Sequence, residues 1–210
     1  MRRETCLSVL LFVLACAVFG ALPSAATAQS GFGQRPTAGV FGGVTFGRGA
    51  LDDEVGTGWN AGGFGKIRLY GPLDLRVDGT YVKFAKKELV ETGGTVTTDA
   101  AITFGTIGGL LNLGTDSAAY PGDNTVSPYL LGGAGRYRLD YDAVCVGNSC
   151  GAFIDPGVHT FWGLAIGGGA TVPLAGLRTF IEARYHRIAR DELDGGSRTM
   201  VVVSAGLKFR

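Results

Sequence analysis

The stretch VVVSAGLKFR, residues 201–210, alternates strictly. Val201, Val203, Ala205, Leu207 and Phe209 share one face of an extended chain, and Val202, Ser204, Gly206, Lys208 and Arg210 share the other. A repeat of two is the period of a β-strand, so this run is a strand with one greasy side and one mixed side. What covers the greasy side decides the fold.

The same patterning recurs upstream in segments of about ten residues separated by turn chemistry. Eight can be marked: 37–47, 59–70, 73–84, 100–113, 127–140, 160–172, 177–188 and 199–209. Between them the connections alternate in length. Gly71-Pro72 and PLAG (173–176) are tight turns, whereas 48–58, 85–99, 141–159 and 189–198 are longer and polar. The link GTDSAAYPGDNTVS (114–127) is the exception, a long connection where a short one is expected. No helix-like periodicity and no second apolar run of membrane-helix length interrupts the series. Glycine, 36 of 210 residues, is far above its usual share and lacks collagen's period. That suits crowded, strongly curved strands.

The polar faces are unusual. Asp74, Arg76 and Asp78 oppose Leu73, Leu75 and Val77; Glu182, Arg184 and His186 oppose Ile181, Ala183 and Tyr185. Lys66 and Arg68 oppose Ile67 and Leu69, and Arg136 and Arg138 oppose Tyr137 and Leu139. A soluble sheet would turn its apolar face inward and its charges to water. The opposite arrangement, apolar out and charged in, is favoured on three grounds. The acids and bases on neighbouring strands can offset one another in a closed interior. Aromatics near the strand ends (Tyr70, Tyr81, Tyr129, Tyr137, Tyr185 and Phe209) suit membrane-interface belts. The third ground is export.

Residues 1–28 carry that signal. A short basic start (MRRE) leads into an apolar run from Cys6 to Leu22 and then Ala26-Thr27-Ala28, which places cleavage between Ala28 and Gln29. An uncleaved anchor and lipoprotein processing at Cys16 fit the residues less well. Cleavage removes Arg2, Arg3 and Glu4 and takes the formal charge from +1 to zero, so no basic excess points to nucleic acid. A linker of 29–36 would then precede a barrel domain of 37–210. Two cysteines remain, Cys145 and Cys150, flanking a Gly-Asn turn. In an oxidising compartment they read as a local disulfide, with a two-cysteine metal site as the rival.

The fold class expected is all-β: a closed, eight-stranded, antiparallel up-and-down transmembrane β-barrel. Closure is required because an open sheet edge in hydrocarbon leaves backbone groups unsatisfied. SPYLLGGAGRYRLDY (127–141), LRTFIEARYHRI (177–188) and VVVSAGLKFR together resemble the small eight-stranded outer-membrane β-barrel proteins of the OmpA/OmpX-like kind. The resemblance covers essentially the whole mature chain. It implies integral residence in the bacterial outer membrane, contact with outer-membrane lipids and lipopolysaccharide, and a monomeric state. It also implies a C-terminal strand read by the barrel-assembly machinery, here Val201, Val203, Ala205, Leu207 and Phe209. The family pattern ends on the aromatic; in this chain Arg210 follows Phe209. No peptidoglycan-binding domain follows the barrel, so that role is not implied.

Little in the sequence carries chemistry. Eight strands enclose an interior that side chains fill, which argues against a general porin. His159 falls in an expected outer loop. His186, in line with Glu182 and Arg184, reads as one member of a packed network made with Lys66, Arg68, Asp74, Arg76, Asp78, Arg136, Arg138 and Lys208 rather than as an acid/base catalyst. LDDEVG (51–56) reads as a solvated loop, and the glycine runs match no phosphate-binding spacing. The reading is therefore a non-enzymatic barrel with a structural or surface-interaction role, an undefined extracellular ligand, and neither cofactor nor metal. A lipid-modifying or small-molecule-binding barrel is the alternative, and a soluble lipocalin-type barrel a third.

Overall fold

Strand β9 (Arg198–Phe209) lies antiparallel against β1 (Thr37–Arg48), with Ala38 opposite Phe209 and Arg48 opposite Thr199. This pairing joins the last strand to the first. The computed structural model describes residues 36–49, 51–52, 55–91, 94–114, 126–147, 157–174, 177–189 and 198–209, with backbone alone for 88–91, 94–96 and 142–147. The expected signal peptide and its Ala28–Gln29 junction, Cys150 and Arg210 lie outside the described residues, as does the side chain of Cys145.

The remaining strands are β2 (Gly58–Tyr70), β3 (Leu73–Phe84), β4 (Lys87–Glu91), β5 (Gly94–Asn112), β6 (Ser127–Gly147), β7 (Gly157–Leu174) and β8 (Leu177–Ile188). Every pairing is antiparallel. β3 and β4 both pair with β5 and together form one stave broken at residues 85–86, so nine segments make eight staves. Tracing one row of partners around the wall shows the closure. Arg138, Thr103, Tyr81, Ala61, Gly42, Ala205, Ile181, Ala170 and Pro128 follow in register, and the row returns to β6 ten residues below its start. A stagger of ten over eight strands demands a tilt of about 40°. A twelve-residue strand so tilted climbs about 30 Å, enough to cross a hydrocarbon core.

Both ends of the traced sheet, Thr37 and Phe209, lie at the rim that carries the turns after β2 and β7. The register brings Leu73 to Leu111 and Asn112 to Tyr129 at this same rim, so the 114–127 link joins its strands there. At the opposite rim the strands run further than the sequence patterning marks. β5 starts six residues earlier and β6 ends seven later than expected, and with β4 they form a three-stranded extension of the wall.

The wall is inside out relative to a soluble barrel. Val40, Trp59, Ile67, Val77, Ile107, Leu130, Leu164, Ile166 and Ile181 are exposed on the outer face, while Asp74, Arg76, Asp78, Glu182, Arg184 and His186 are buried within. No helix among the described residues is long and apolar enough to cross a membrane, which does not bear on strands.

Candidate functional site

Among the described residues, buried charged and polar side chains converge in the lumen. From β3, even-numbered residues point inward; from β8 they do the same, on the opposite wall four staves away. Arg76 of β3 therefore reaches across to Glu182 of β8, Nη1 to Oε2 at 2.7 Å. Arg76 also holds Asp78 Oδ1 (2.7 Å), Arg184 Nη2 donates to Asp78 Oδ1 (2.8 Å), and Arg184 Nε donates to Glu182 Oε1. The four form a closed ring, each acid held by both arginines. Tyr129 OH donates to Glu182 Oε2 (2.8 Å), and the Arg76 guanidinium lies 4.0 Å from the centre of the Phe64 ring. Charge is tolerable here because each buried charge has its opposite within hydrogen-bond range.

Toward the turn rim, Asp74 is shared by Lys66 Nζ (2.6 Å) and Arg68 Nε (2.9 Å) and accepts from Asn112 (3.1 Å). Lys208 donates to Thr171 Oγ1 and sits over the Tyr129 ring at 4.8 Å. A neutral cluster joins three strands elsewhere: Asn60 Nδ2 donates to Thr45 Oγ1 (3.1 Å), and Ser204 Oγ donates to Asn60 Oδ1 (2.9 Å).

Above the ring of charges the filling becomes aromatic and then aliphatic. His186 is fully buried, its Nδ1 shares a hydrogen bond with Tyr137 OH (2.8 Å), and the Phe104 ring packs 4.9 Å away. His186 Nε2 has no partner among the described residues. Glycine makes room for these rings: a Cβ on Gly163 would stand 2.6 Å from the Tyr137 ring. Beyond lie Val82, Phe84, Ile102, Leu139, Met200 and Val202. Leu51 and Val55 cap this stack, both fully buried. They sit one helical turn apart, with Val55 N–H donating to Leu51 O at 3.0 Å.

Several expectations are corrected. Arg136 and Arg138 are exposed on the outer face and do not join the lumen network. Tyr137 and Leu139 occupy the inner face of β6 instead, because the volume beside His186 and Phe104 takes a ring and the register admits only one parity of β6. Tyr129 and Tyr137 for the same reason leave the outer aromatic set, in which Phe46, Trp59 and Trp162 stand with Tyr70, Tyr81, Tyr185 and Phe209. His159 lies within β7, its ring stacked on Phe161, rather than in a loop. The stretch 51–56 is not simply solvated: its two apolar residues plug the mouth. Their spacing, Leu51 and Val55 at i and i+4, was a signal available in the sequence.

His186 is walled in by Phe104, Tyr137 and Met200, and no group of three or more metal-ligating residues occurs among the described residues. The void beside Arg76, Asp78, Thr106 and Arg184 is about 10 Å³, room for about one water.

A barrel with a charged, filled lumen and an apolar exterior finds its counterpart in sequence. The family described as "Outer membrane protein beta-barrel domain" matches residues 11–209. The chain belongs to this family. It is an integral protein of the bacterial outer membrane. Among solved structures, Neisserial surface protein A aligns with a TM-score of 0.53 at 19% identity, over 82% of this chain and 95% of that one. Ail of Yersinia pestis (17% identity, 84% and 100% covered, TM-score 0.46) and the N-terminal barrel of Pseudomonas aeruginosa OprF (17%, 84% and 98%, 0.44) are also similar. No curated protein sequence matches the chain. These likenesses concern the fold. In this outer-membrane barrel the apolar exterior faces lipid.

Proposed function

We propose that the protein is a non-enzymatic outer-membrane barrel whose role is structural and interactive, exercised through its outer face and its loops. The observation that carries this reading is the filled lumen. Arg76, Asp78, Glu182 and Arg184 bridge opposite walls, and Leu51 and Val55 close the apolar layer above them. What remains free to meet partners is the lipid-facing surface and the rim where β4, β5 and β6 extend beyond the neighbouring staves.

In this reading residues 1–28 are removed on export, the rim carrying Thr37 and Phe209 faces the periplasm, and the extended rim faces outward. Outer-membrane lipids and lipopolysaccharide surround the wall, the barrel-assembly machinery reads β9, and the barrel is monomeric. Cys145 and Cys150 form a disulfide.

Three measurements test it. Refolded protein in planar bilayers gives no steady conductance. Labelled-lipid turnover is absent, and any activity lost in His186→Ala or His159→Ala overturns the non-enzymatic reading. On intact cells, added protease cuts within 145–156; protection of that loop overturns the orientation.

A further inference from the structure

Lys208 lacks an ionic partner. It lies on the inner face of β9, where its ammonium donates to Thr171 Oγ1 and sits 4.8 Å from the centre of the Tyr129 ring and 5.3 Å from that of Phe180. A hydroxyl and two ring faces compensate only weakly for a cation drawn out of water. No carboxylate pairs with it among the described residues. The charged groups it faces are three cations, Lys66, Arg76 and Arg178, and one acid, Glu182. Arg178 stands directly opposite it on β8. Glu182 is already engaged by Arg76, Arg184 and Tyr129.

The other acid at this level is also engaged, since both oxygens of Asp74 are held by Lys66, Arg68 and Asn112. The deeper ring is different. It is neutral, two arginines against two acids, and it is sealed: the side chains of Arg76 and Arg184 are only 3% and 5% exposed. Lys66 and Arg68 are 13% and 19% exposed and Lys208 is half-buried, so this tier opens to the turn rim. Phe64 and Phe180 meet edge to face beside it, ring centres 5.5 Å apart, and form its floor. The mouth is therefore a blind basin. Among the described residues, Lys66, Arg68, Arg178 and Lys208 line it against the one acid Asp74. An excess of cations in a low-dielectric wall calls for an anion from outside.

We propose that the turn-side mouth of the lumen is a binding site for a small soluble phosphate anion, inorganic phosphate or a short phosphomonoester, held by Lys208, Lys66 and Arg178. The two lysines supply point charges and Arg178 a planar fork. Thr171 Oγ1, which accepts from Lys208, keeps its own proton to donate. A compact, multiply charged oxyanion suits donors that come from separate staves and border a space closed at its inner end. The anion is held and does not pass through, because the floor and the ring block the lumen. The site does not depend on which way the barrel faces; orientation decides only which compartment supplies the anion.

The test uses the full-length barrel in phosphatidylcholine nanodiscs, titrated with inorganic phosphate while chloride keeps the ionic strength constant. In wild type the amide signals of Thr171 and Lys208 shift saturably, and phosphate raises the urea midpoint of unfolding. Lys208→Met binds phosphate about tenfold more weakly and loses that gain. It keeps its heat-modifiable gel mobility, because removing Lys208 leaves no acid unpaired. Thr171→Val, a second variant, weakens binding in the same direction. Absence of a saturable shift in wild type, or equal affinity in Lys208→Met, overturns the site. Equal shifts with chloride alone reduce the effect to screening and overturn it too. Shifts at Lys208 in nanodiscs containing phosphatidic acid, without soluble phosphate, overturn the soluble source. Binding that emerges only in Asp116→Asn with Asp123→Asn also overturns the proposal, since the 114–127 link would then supply the counter-charge.

Discussion

Arg76 and Glu182, 106 positions apart in sequence, meet at 2.7 Å across the lumen from opposite walls of the barrel. The contact spans the lumen between staves four apart in either direction around the wall, so it belongs to the tertiary structure and not to any one hairpin. Removing one partner leaves an uncompensated buried charge. Glu182→Ala or Arg76→Ala should each cost about 3–5 kcal/mol of stability, and the double variant less than their sum. Urea-induced unfolding in lipid bilayers measures both; an additive pair would show that the ring does not act as a unit.

The outer face makes the opposite prediction. Ile181 is 55% exposed and lies near the middle of the apolar band. Ile181→Arg should destabilise by about 2–4 kcal/mol, whereas Thr160→Arg, beside Arg138 near the extended rim, should change stability by no more than about 1 kcal/mol. The same unfolding measurement ranks them, and equal costs would contradict the lipid-facing assignment of β8.

Gly163 faces inward beneath Tyr137 and leaves no space for a methyl group. Gly163→Ala should cost about 1–3 kcal/mol through overpacking. Combining it with Tyr137→Leu should recover part of that loss. Recovery stays incomplete because a Cβ would also stand 2.8 Å from Arg187 O.

The mouth plug is local. Leu51→Ala opens a cavity among Val55, Val82, Phe84 and their neighbours, and it should unfasten the single turn that holds Val55 N–H. Amide exchange at Val55 should accelerate while exchange in β8 and β9 is unchanged. Uniform acceleration across the barrel would show instead that the plug is integral to global stability.

The closing strand carries an assembly prediction. Deleting Phe209 with Arg210 removes the partner of Ala38 and the aromatic proposed for recognition, so outer-membrane yield should fall. Deleting Arg210 alone should be tolerated. Normal yield of the double deletion, read from heat-modifiable protein in the membrane fraction, would remove Phe209 from the recognition role.

Much of this architecture was legible from period and punctuation. Strand 73–84 was bounded correctly because Gly71-Pro72 and the alternation of Asp74, Arg76 and Asp78 mark it without reference to the rest of the chain. The lumen network on β2, β3 and β8 could be anticipated because Lys66 and Arg68, Asp74, Arg76 and Asp78, and Glu182, Arg184 and His186 each share one parity within their strand. On β6 both parities hold residues able to line a lumen: arginines on one, and tyrosines and Leu139 on the other. Charge alone then pointed the wrong way.

By itself the sequence determined that the chain is a series of two-faced strands, even in number, with short turns at one end, the long 114–127 link apart, and long links at the other. Local chain geometry is enough for that, since a period of two follows from the backbone. The tertiary structure decided which face of β6 turns inward, that the stagger is ten, that Arg76 finds Glu182, and that Leu51 and Val55 fold into the mouth. Those outcomes depend on volume and register around a closed wall. One residue of slip inverts a whole face, and only the fit of Tyr137 against His186 and Phe104 selects between the two settings.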